Sequence, residues 1–236
     1  MPQKYKMVKR RGGVSLGIPV NKNPGLSKTQ AKTVRKIAKK TVMSAAETKH
    51  VGKTAENVQL FHNKPLYLSN LLATTQGVLD PDNQSSNAAR IGDSIKLTSC
   101  NVKFWLSNKL DRPNCMYRLI MFWYDSSVTL SDAVCFFTQT NKMLDRPNNE
   151  SISIIDQKYI FSGPMYLNGT EKFERSQLAT LKGNWKGRRI TYDESGSVPK
   201  KRTIGVCLAV YDAYGTLQTD NISSCAYNFQ IGFKDL

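Results

Sequence analysis

The first forty residues contain no aspartate or glutamate. Twelve lysines and arginines lie in that stretch, so it alone carries +12 of the formal charge of +16, and the other residues, with 22 basic and 18 acidic side chains, carry +4. Histidine is nearly missing: His50 and His62 are the two present, too few for a His-rich metal site or a His-based nucleophile relay. The five cysteines, Cys100, Cys115, Cys135, Cys207 and Cys225, form no CxxC pair. Their odd count argues against a closed disulfide framework and for buried free thiols in a reducing compartment. No apolar run approaches the roughly 18 residues of a membrane helix. No GxxxxGK[ST] loop, HExxH or GxSxG elbow occurs, so no catalytic residue, cofactor or metal is expected. Asp80 and Asp82 sit among Asn and Ser and read as a plain loop. The start, MPQKYKMVKRRGG, leads into no apolar segment of a secretory signal, so synthesis and retention inside a cell are expected. The sequons at Asn83, Asn149, Asn168 and Asn221 then mark only surface-loop composition.

Within the basic stretch, Lys4, Lys6, Lys9, Arg10, Arg11 and Lys22 lie among Gly12, Gly13, Pro19, Pro24 and Gly25. Such a composition buries little apolar surface and is expected to stay extended or mobile. Cations on an open chain bind phosphate without reading base sequence. The run from Lys4 to Arg11 also has the texture of a nuclear localisation signal, which brings in host import factors and the nucleus.

At Ser27 the pattern changes. Ser27 and Gln30 have capping-box spacing, and Ala31, Val34, Ile37, Ala38, Val42 and Ala45 recur at helical period. Lys28, Lys32, Arg35, Lys36, Lys39 and Lys40 fill the rest of the circumference. A helix over 28–46 is expected, with nucleic acid as its partner: like charges at i,i+4 repel, and the Trp, Phe and Leu of a membrane-inserting helix are missing. Residues 1–48 thus read as a nucleic-acid-binding arm, and 49–236 as a separate domain.

That domain reads as strands. Val51–Phe61, Ile91–Leu106, Met116–Tyr124, Val134–Phe137, Ile152–Phe161, Arg188–Tyr192, Thr203–Tyr211 and Ala226–Phe233 are short β-rich runs separated by turn residues. The alternation of Ile95 and Leu97 slips against that of Val102, Phe104 and Leu106, which predicts a bulge or a strand break near Ser99 and Cys100. Met116–Tyr124 is almost continuously apolar, as in a strand covered on both faces. Residues 62–90 and 163–187 read as long loops, with a turn around Leu66 to Leu72. Leu110-Asp111-Arg112-Pro113-Asn114 recurs as Leu144-Asp145-Arg146-Pro147-Asn148, read as two similar turns. About eight antiparallel strands without βαβ alternation predict an all-β, single jelly-roll sandwich. In Lys182-Gly183-Asn184-Trp185-Lys186-Gly187-Arg188-Arg189, the cations Lys186, Arg188 and Arg189 are further candidate nucleic-acid contacts. Trp185 reads either as a base contact or as a packing anchor.

Taken in order, the Lys/Arg arm, Arg90-Ile91-Gly92-Asp93-Ser94-Ile95, Tyr117-Arg118-Leu119-Ile120-Met121-Phe122-Trp123-Tyr124-Asp125 and Arg189-Ile190-Thr191-Tyr192-Asp193 resemble the capsid proteins of circular, Rep-encoding single-stranded DNA viruses, the circovirus-like group. The resemblance implies a homo-oligomeric icosahedral shell, sixty copies in its simplest form, with the arm on the genome and long loops outside. It also implies a virion location and a single-stranded genome, DNA rather than RNA. The arm departs from the group's usual pattern, being Lys-dominated where circovirus arms are Arg-rich. The rival from the residues alone is a non-assembling nucleic-acid-binding β domain. Deleting residues 1–40 is expected to leave the β-type circular dichroism spectrum intact; its loss would show that the arm belongs to the core.

Overall fold

The computed structural model describes residues 8–10, 13–15, 26–77, 88–161, 176–214 and 217–235. The chain divides into two compact units, Met1–Ala45 and Ala46–Leu236. In the first, β1 (Val8–Arg10) and β2 (Gly13–Ser15) pair antiparallel, so the arm is not extended throughout. Val8 and Val14 suit such a pairing. Helix α1 spans Lys28–Ala45 and starts with a reciprocal cap. The Ser27 N–H donates to Gln30 Oε1 at 3.0 Å and the Gln30 N–H donates to Ser27 Oγ at 3.2 Å, satisfying two amides that have no partner within the helix.

The second unit runs β3 (Thr48–Phe61), β4 (Leu66–Leu68), β5 (Thr75–Gln76), β6 (Ala88–Arg90), β7 (Ser94–Asn108), β8 (Cys115–Asp125), α2 (Asp132–Cys135), β9 (Ser153–Phe161), β10 (Ser176–Thr191), β11 (Arg202–Asp212) and β12 (Asn221–Asp235). Eight of these strands form two four-stranded antiparallel sheets, ordered β10-β7-β12-β3 and β4-β11-β8-β9. The last strand lies between the first and the third of the eight, and consecutive strands alternate between sheets over most of the chain. This interleaving is the jelly-roll order. The inward residues of both sheets, among them Leu97, Val102, Phe104, Leu119, Met121, Val206 and Ile231, make one buried core.

The slip in β7 is a bulge and not a break. Ser99 pairs with Gly232 and Asn184, whereas Leu97 pairs with Phe233 and Arg188. Thr98 is thereby left over on β7 and Trp185, Lys186 and Gly187 on β10, where Gly187 takes φ 75°, a conformation open to glycine. Trp185 leans out of this bulge onto the core, its ring edge-on to Trp123 at 5.4 Å. It serves as a packing anchor.

Three expectations fail. Val134–Phe137 is not a strand: the Val and Phe that suggested one belong to α2 and its C-terminal end, where Cys135 and Phe136 turn inward and are buried. Residues 176–187 are not loop but the first three quarters of β10, masked in the sequence by Gly183, Asn184 and Gly187. Leu66–Leu68 is strand β4, hydrogen-bonded to β11 through Val206, Cys207 and Leu208.

Strand β8 is covered on both faces, as its apolar run required. Leu119, Met121 and Trp123 enter the main core. Ile120, Phe122 and Tyr124 point the other way, into a second cluster with Phe136 and Ile152 from the long β8–β9 connection. That connection is bolted down by Arg118, 1% exposed, whose guanidinium donates to the carbonyl oxygens of Lys142 at 2.8 Å, Met143 at 3.3 Å and Asp145 and faces the rings of Phe136 and Tyr159. The two LDRPN turns take different roles. Arg112 of the first reaches Asp212 at 3.5 Å, while Asp145 of the second accepts the amides of Thr138 and Gln139 at 2.8 and 2.7 Å.

Neighbouring residues on β7 test which face is which. Phe104→Ala, at a fully buried position, is expected to cost about 3–5 kcal/mol. Trp105→Ala, at a position 60% exposed, is expected to change stability by no more than about 0.5 kcal/mol. Urea unfolding of the two variants measures the difference, and equal losses would invert the assignment.

Candidate nucleic-acid interface

Of the arm cations singled out in the sequence, Lys4, Lys6, Arg11 and Lys22 lie outside the described residues, and Lys9 and Arg10 belong to β1. Lys28, Lys32, Arg35, Lys36, Lys39 and Lys40 are all on α1, and all six are exposed. None of the described residues on α1 is buried, and the apolar side is open too, with Val34 48%, Ile37 60% and Val42 53% exposed. An unburied helix carrying six cations and no acid holds its charges in mutual repulsion that an anion would relieve.

In the second unit the two sheets differ in what covers them. The outer face of β4-β11-β8-β9 is covered by the β8–β9 connection. On β10-β7-β12-β3 the residues that alternate with the core point outward: Lys182, Thr180 and Leu178 on β10; Asn101, Lys103 and Trp105 on β7; Gln230, Asn228 and Ala226 on β12. The pairing puts Arg189, Lys96 and Lys234 on one rung, side by side across three strands. Like charges directly opposite in a sheet are destabilising. Lys234 Nζ donates to the carbonyl oxygen of Ala46 at 2.7 Å, which fixes one end of the rung. Five cations thus share this face. Two acids border it: Glu56, at the irregular stretch of β3 where its pairing to β12 shifts, and Asp156 of β9, whose Oδ2 accepts the Lys182 backbone N–H at 2.8 Å. Asn101, Thr180, Asn228 and Gln230 add hydrogen-bond partners beside the apolar Leu178 and Ala226, and Trp105 offers an exposed ring for stacking.

The sequence-predicted trio on β10 splits. Arg189 is on the outward face, while Arg188 lies on the core side of the rim with its guanidinium 4.1 Å from the Trp123 ring. Lys186 is exposed within the β10 bulge. The sequence reading missed Lys96, Lys103, Lys182, Lys234, Lys201 and Arg202. For Lys96 and Lys103 the signal was there: they occupy the polar phase of the alternation on either side of the β7 bulge, read earlier only for its apolar phase.

Among the described residues no group of three His, Cys, Asp or Glu is placed to hold a metal ion; Asp80 and Asp82 lie outside them. The five cysteines are free and buried. Burial pushes the thiols of Cys100, Cys115 and Cys135 up to about 12, so they remain protonated and unreactive. His62 is buried, accepts the Asp212 amide on Nδ1 at 3.1 Å and has its pKa lowered by desolvation, as a core histidine does. No helix among the described residues is long and apolar enough to cross a membrane.

No protein-family model matches the chain, and no curated protein does. Among solved structures, the chain is similar to one of turnip yellow mosaic virus, at 8% identity and TM-score 0.34 over 81% of this chain and 95% of that one. A chain of desmodium yellow mottle tymovirus matches at 10% identity and TM-score 0.34, over 94% of each, and one of the Kashmir bee virus native virion at 8% and 0.25, over 98% and 88%. The jelly-roll assignment stands on the strand order itself.

If the outward rung holds phosphate, Arg189→Gln is expected to leave the urea midpoint unchanged. It should lower the slope of log K against log salt for single-stranded oligonucleotide binding by about 0.7. Filter binding across a salt series measures that slope; an unchanged value would remove Arg189 from the interface.

Proposed function

We propose that this chain is a viral coat protein that assembles into an icosahedral shell and packages a single-stranded genome through its basic N-terminal arm. The observation that carries the reading is the inequality of the two sheet faces. One is covered by the chain's own β8–β9 connection; the other is bare, cationic and polar, in a chain that also carries an arm of +12. A subunit with one cationic side and one covered side is polarised as a shell needs, with polyanion within and solvent without.

A shell also needs lateral contacts. Leu144 is 83% exposed, Phe161 62% and Tyr159 46%, and with Met143 they surround a recess of about 280 Å³ at the β9 edge. Clustered exposed apolar side chains of this kind mark association surfaces. This edge is assigned to contacts between copies.

The arm requires no base specificity, since its work is to neutralise phosphate. Sixty arms of twelve cations each supply roughly 720 charges, which suits a strand of roughly one to two thousand nucleotides once mobile cations complete the balance. Duplex, with twice the charge per unit length and a persistence length of about 150 base pairs, suits so small a cavity poorly. The sequence resemblance favours DNA over RNA, and the basic run from Lys4 to Arg11 would direct the chain to the nucleus through import factors.

Negative-stain imaging and size-exclusion chromatography of the full chain test the reading: closed isometric particles are expected, and a monomer or dimer at all concentrations would favour the non-assembling binding domain. Leu144→Asp is expected to abolish particles while leaving the circular dichroism spectrum unchanged. Nucleic acid extracted from particles should be degraded by single-strand-specific nuclease; a double-stranded product would contradict the charge argument.

A further inference from the structure

A recess of about 180 Å³ lies between the rim of β10 and the residues leading into β11, lined by Arg188, Arg189, Lys201 and Arg202, with Trp123 beside them. Two of the guanidinium groups are held in place. That of Arg188 lies over the Trp123 ring at 4.1 Å, and Arg202 Nη2 donates to the Trp123 carbonyl oxygen at 3.2 Å. Trp123 is itself 4% exposed and braced by Trp185. No residue lining the recess is acidic. Two carboxylates lie nearby: Asp193 is engaged by Lys200 at 2.8 Å, and Asp125 stands opposite Arg202 in the β8–β11 ladder, where hydrogen bonds from Ser127 and, less strongly, the Arg202 charge lower its pKa.

Four cations line one recess against the single carboxylate, Asp125, that stands opposite Arg202; the excess positive charge is relieved when an anion enters, and fixed guanidinium forks suit the oxygens of a phosphate. The size decides how much of a ligand fits: ligand pockets generally begin near about 300 Å³, so this one suits a phosphate group and not a whole nucleotide. Arg189 also belongs to the rung with Lys96 and Lys234, which makes the recess the end of a cationic track across the bare sheet.

We infer that the recess beside Trp123 is a discrete phosphate-binding site, which seats one phosphodiester group of the packaged strand at the rim of the sheet. The identity of the strand rests on the coat-protein reading; the site for the phosphoryl group does not. Free inorganic phosphate offers the same chemistry, and the two sources are separated by experiment.

Isothermal titration of the full chain with inorganic phosphate reads the site directly, and a short oligothymidylate titrated over a salt series reads the strand. The variants are Lys201→Gln with Arg202→Gln, and Lys201→Gln alone in case loss of the Arg202–Trp123 bond unfolds the chain. Lys158→Gln on β9 controls for net charge. Phosphate is expected to bind wild type and Lys158→Gln equally, about tenfold more weakly to the double variant and about threefold more weakly to Lys201→Gln. The oligothymidylate salt slope should fall by about 0.7 per cation removed. Absence of phosphate binding, or equal binding by the double variant, overturns the site. Loss of phosphate binding with an unchanged oligothymidylate slope overturns the strand as its occupant. Phosphate binding by a chain that forms no particles would uphold the site and reject the coat reading.

Discussion

A buried guanidinium decides how this sandwich presents itself. Arg118 sits on the side of β8 that faces away from the main core, where desolvation lowers its pKa. A charge in that position is tolerated only when it is compensated by hydrogen bonds, and here Nη1 donates to three carbonyls of residues 142–145 while the buried Nε keeps no partner. The same bonds hold the β8–β9 connection against its sheet. Asn63 reinforces the attachment, donating to the Thr140 carbonyl at 2.7 Å and accepting the Lys142 amide at 3.0 Å. Tyr67 adds a bond to Asp132 Oδ1 at 2.6 Å, and Lys142 pairs with the other oxygen of that carboxylate at 3.0 Å. Removing one partner from such a network exposes the remaining ones to the full cost of an unpaired buried group.

With that sheet covered, the opposite one is left open, and its residues follow from the difference. β8 and β11 are apolar on both phases because both of their faces are buried. β7 alternates strictly on either side of its bulge, because only one face is buried. The open phase is then free to carry Lys96, Lys103 and Trp105 at little cost to the core. Charge of one sign on that face opposes compaction by a few tenths of a kcal/mol per opposed pair, a strain that a polyanion relieves.

The parts of this arrangement legible in the sequence were those written in periodicity. The slip between Leu97 and Val102 located the bulge; the unbroken run of β8 announced a strand covered twice; Ser27 and Gln30 marked the first turn of α1. Less legible were features that depend on contacts distant in the chain. Val134 and Phe136 have strand-forming side chains, yet they turn inward at α2 because Tyr124 and Phe122 wait beneath them. β10 hid behind its glycines, which have different causes: a side chain at Gly183 would meet the Trp185 ring at 2.4 Å, while Gly187 takes a positive φ in the bulge. The cationic rung could not be read at all without the register, since Lys96, Arg189 and Lys234 are far apart in the chain and only the sheet order sets them side by side.

The central claim is that the bare sheet and the arm face nucleic acid while the covered sheet faces away from it. Ultraviolet cross-linking of the full chain to single-stranded oligonucleotide, with the adducts mapped by peptide mass spectrometry, tests it most directly. The expected adducts fall on α1 and on the β7 peptide that contains Lys103 and Trp105. Adducts confined to residues 126–152, with β7 unmodified, would contradict it.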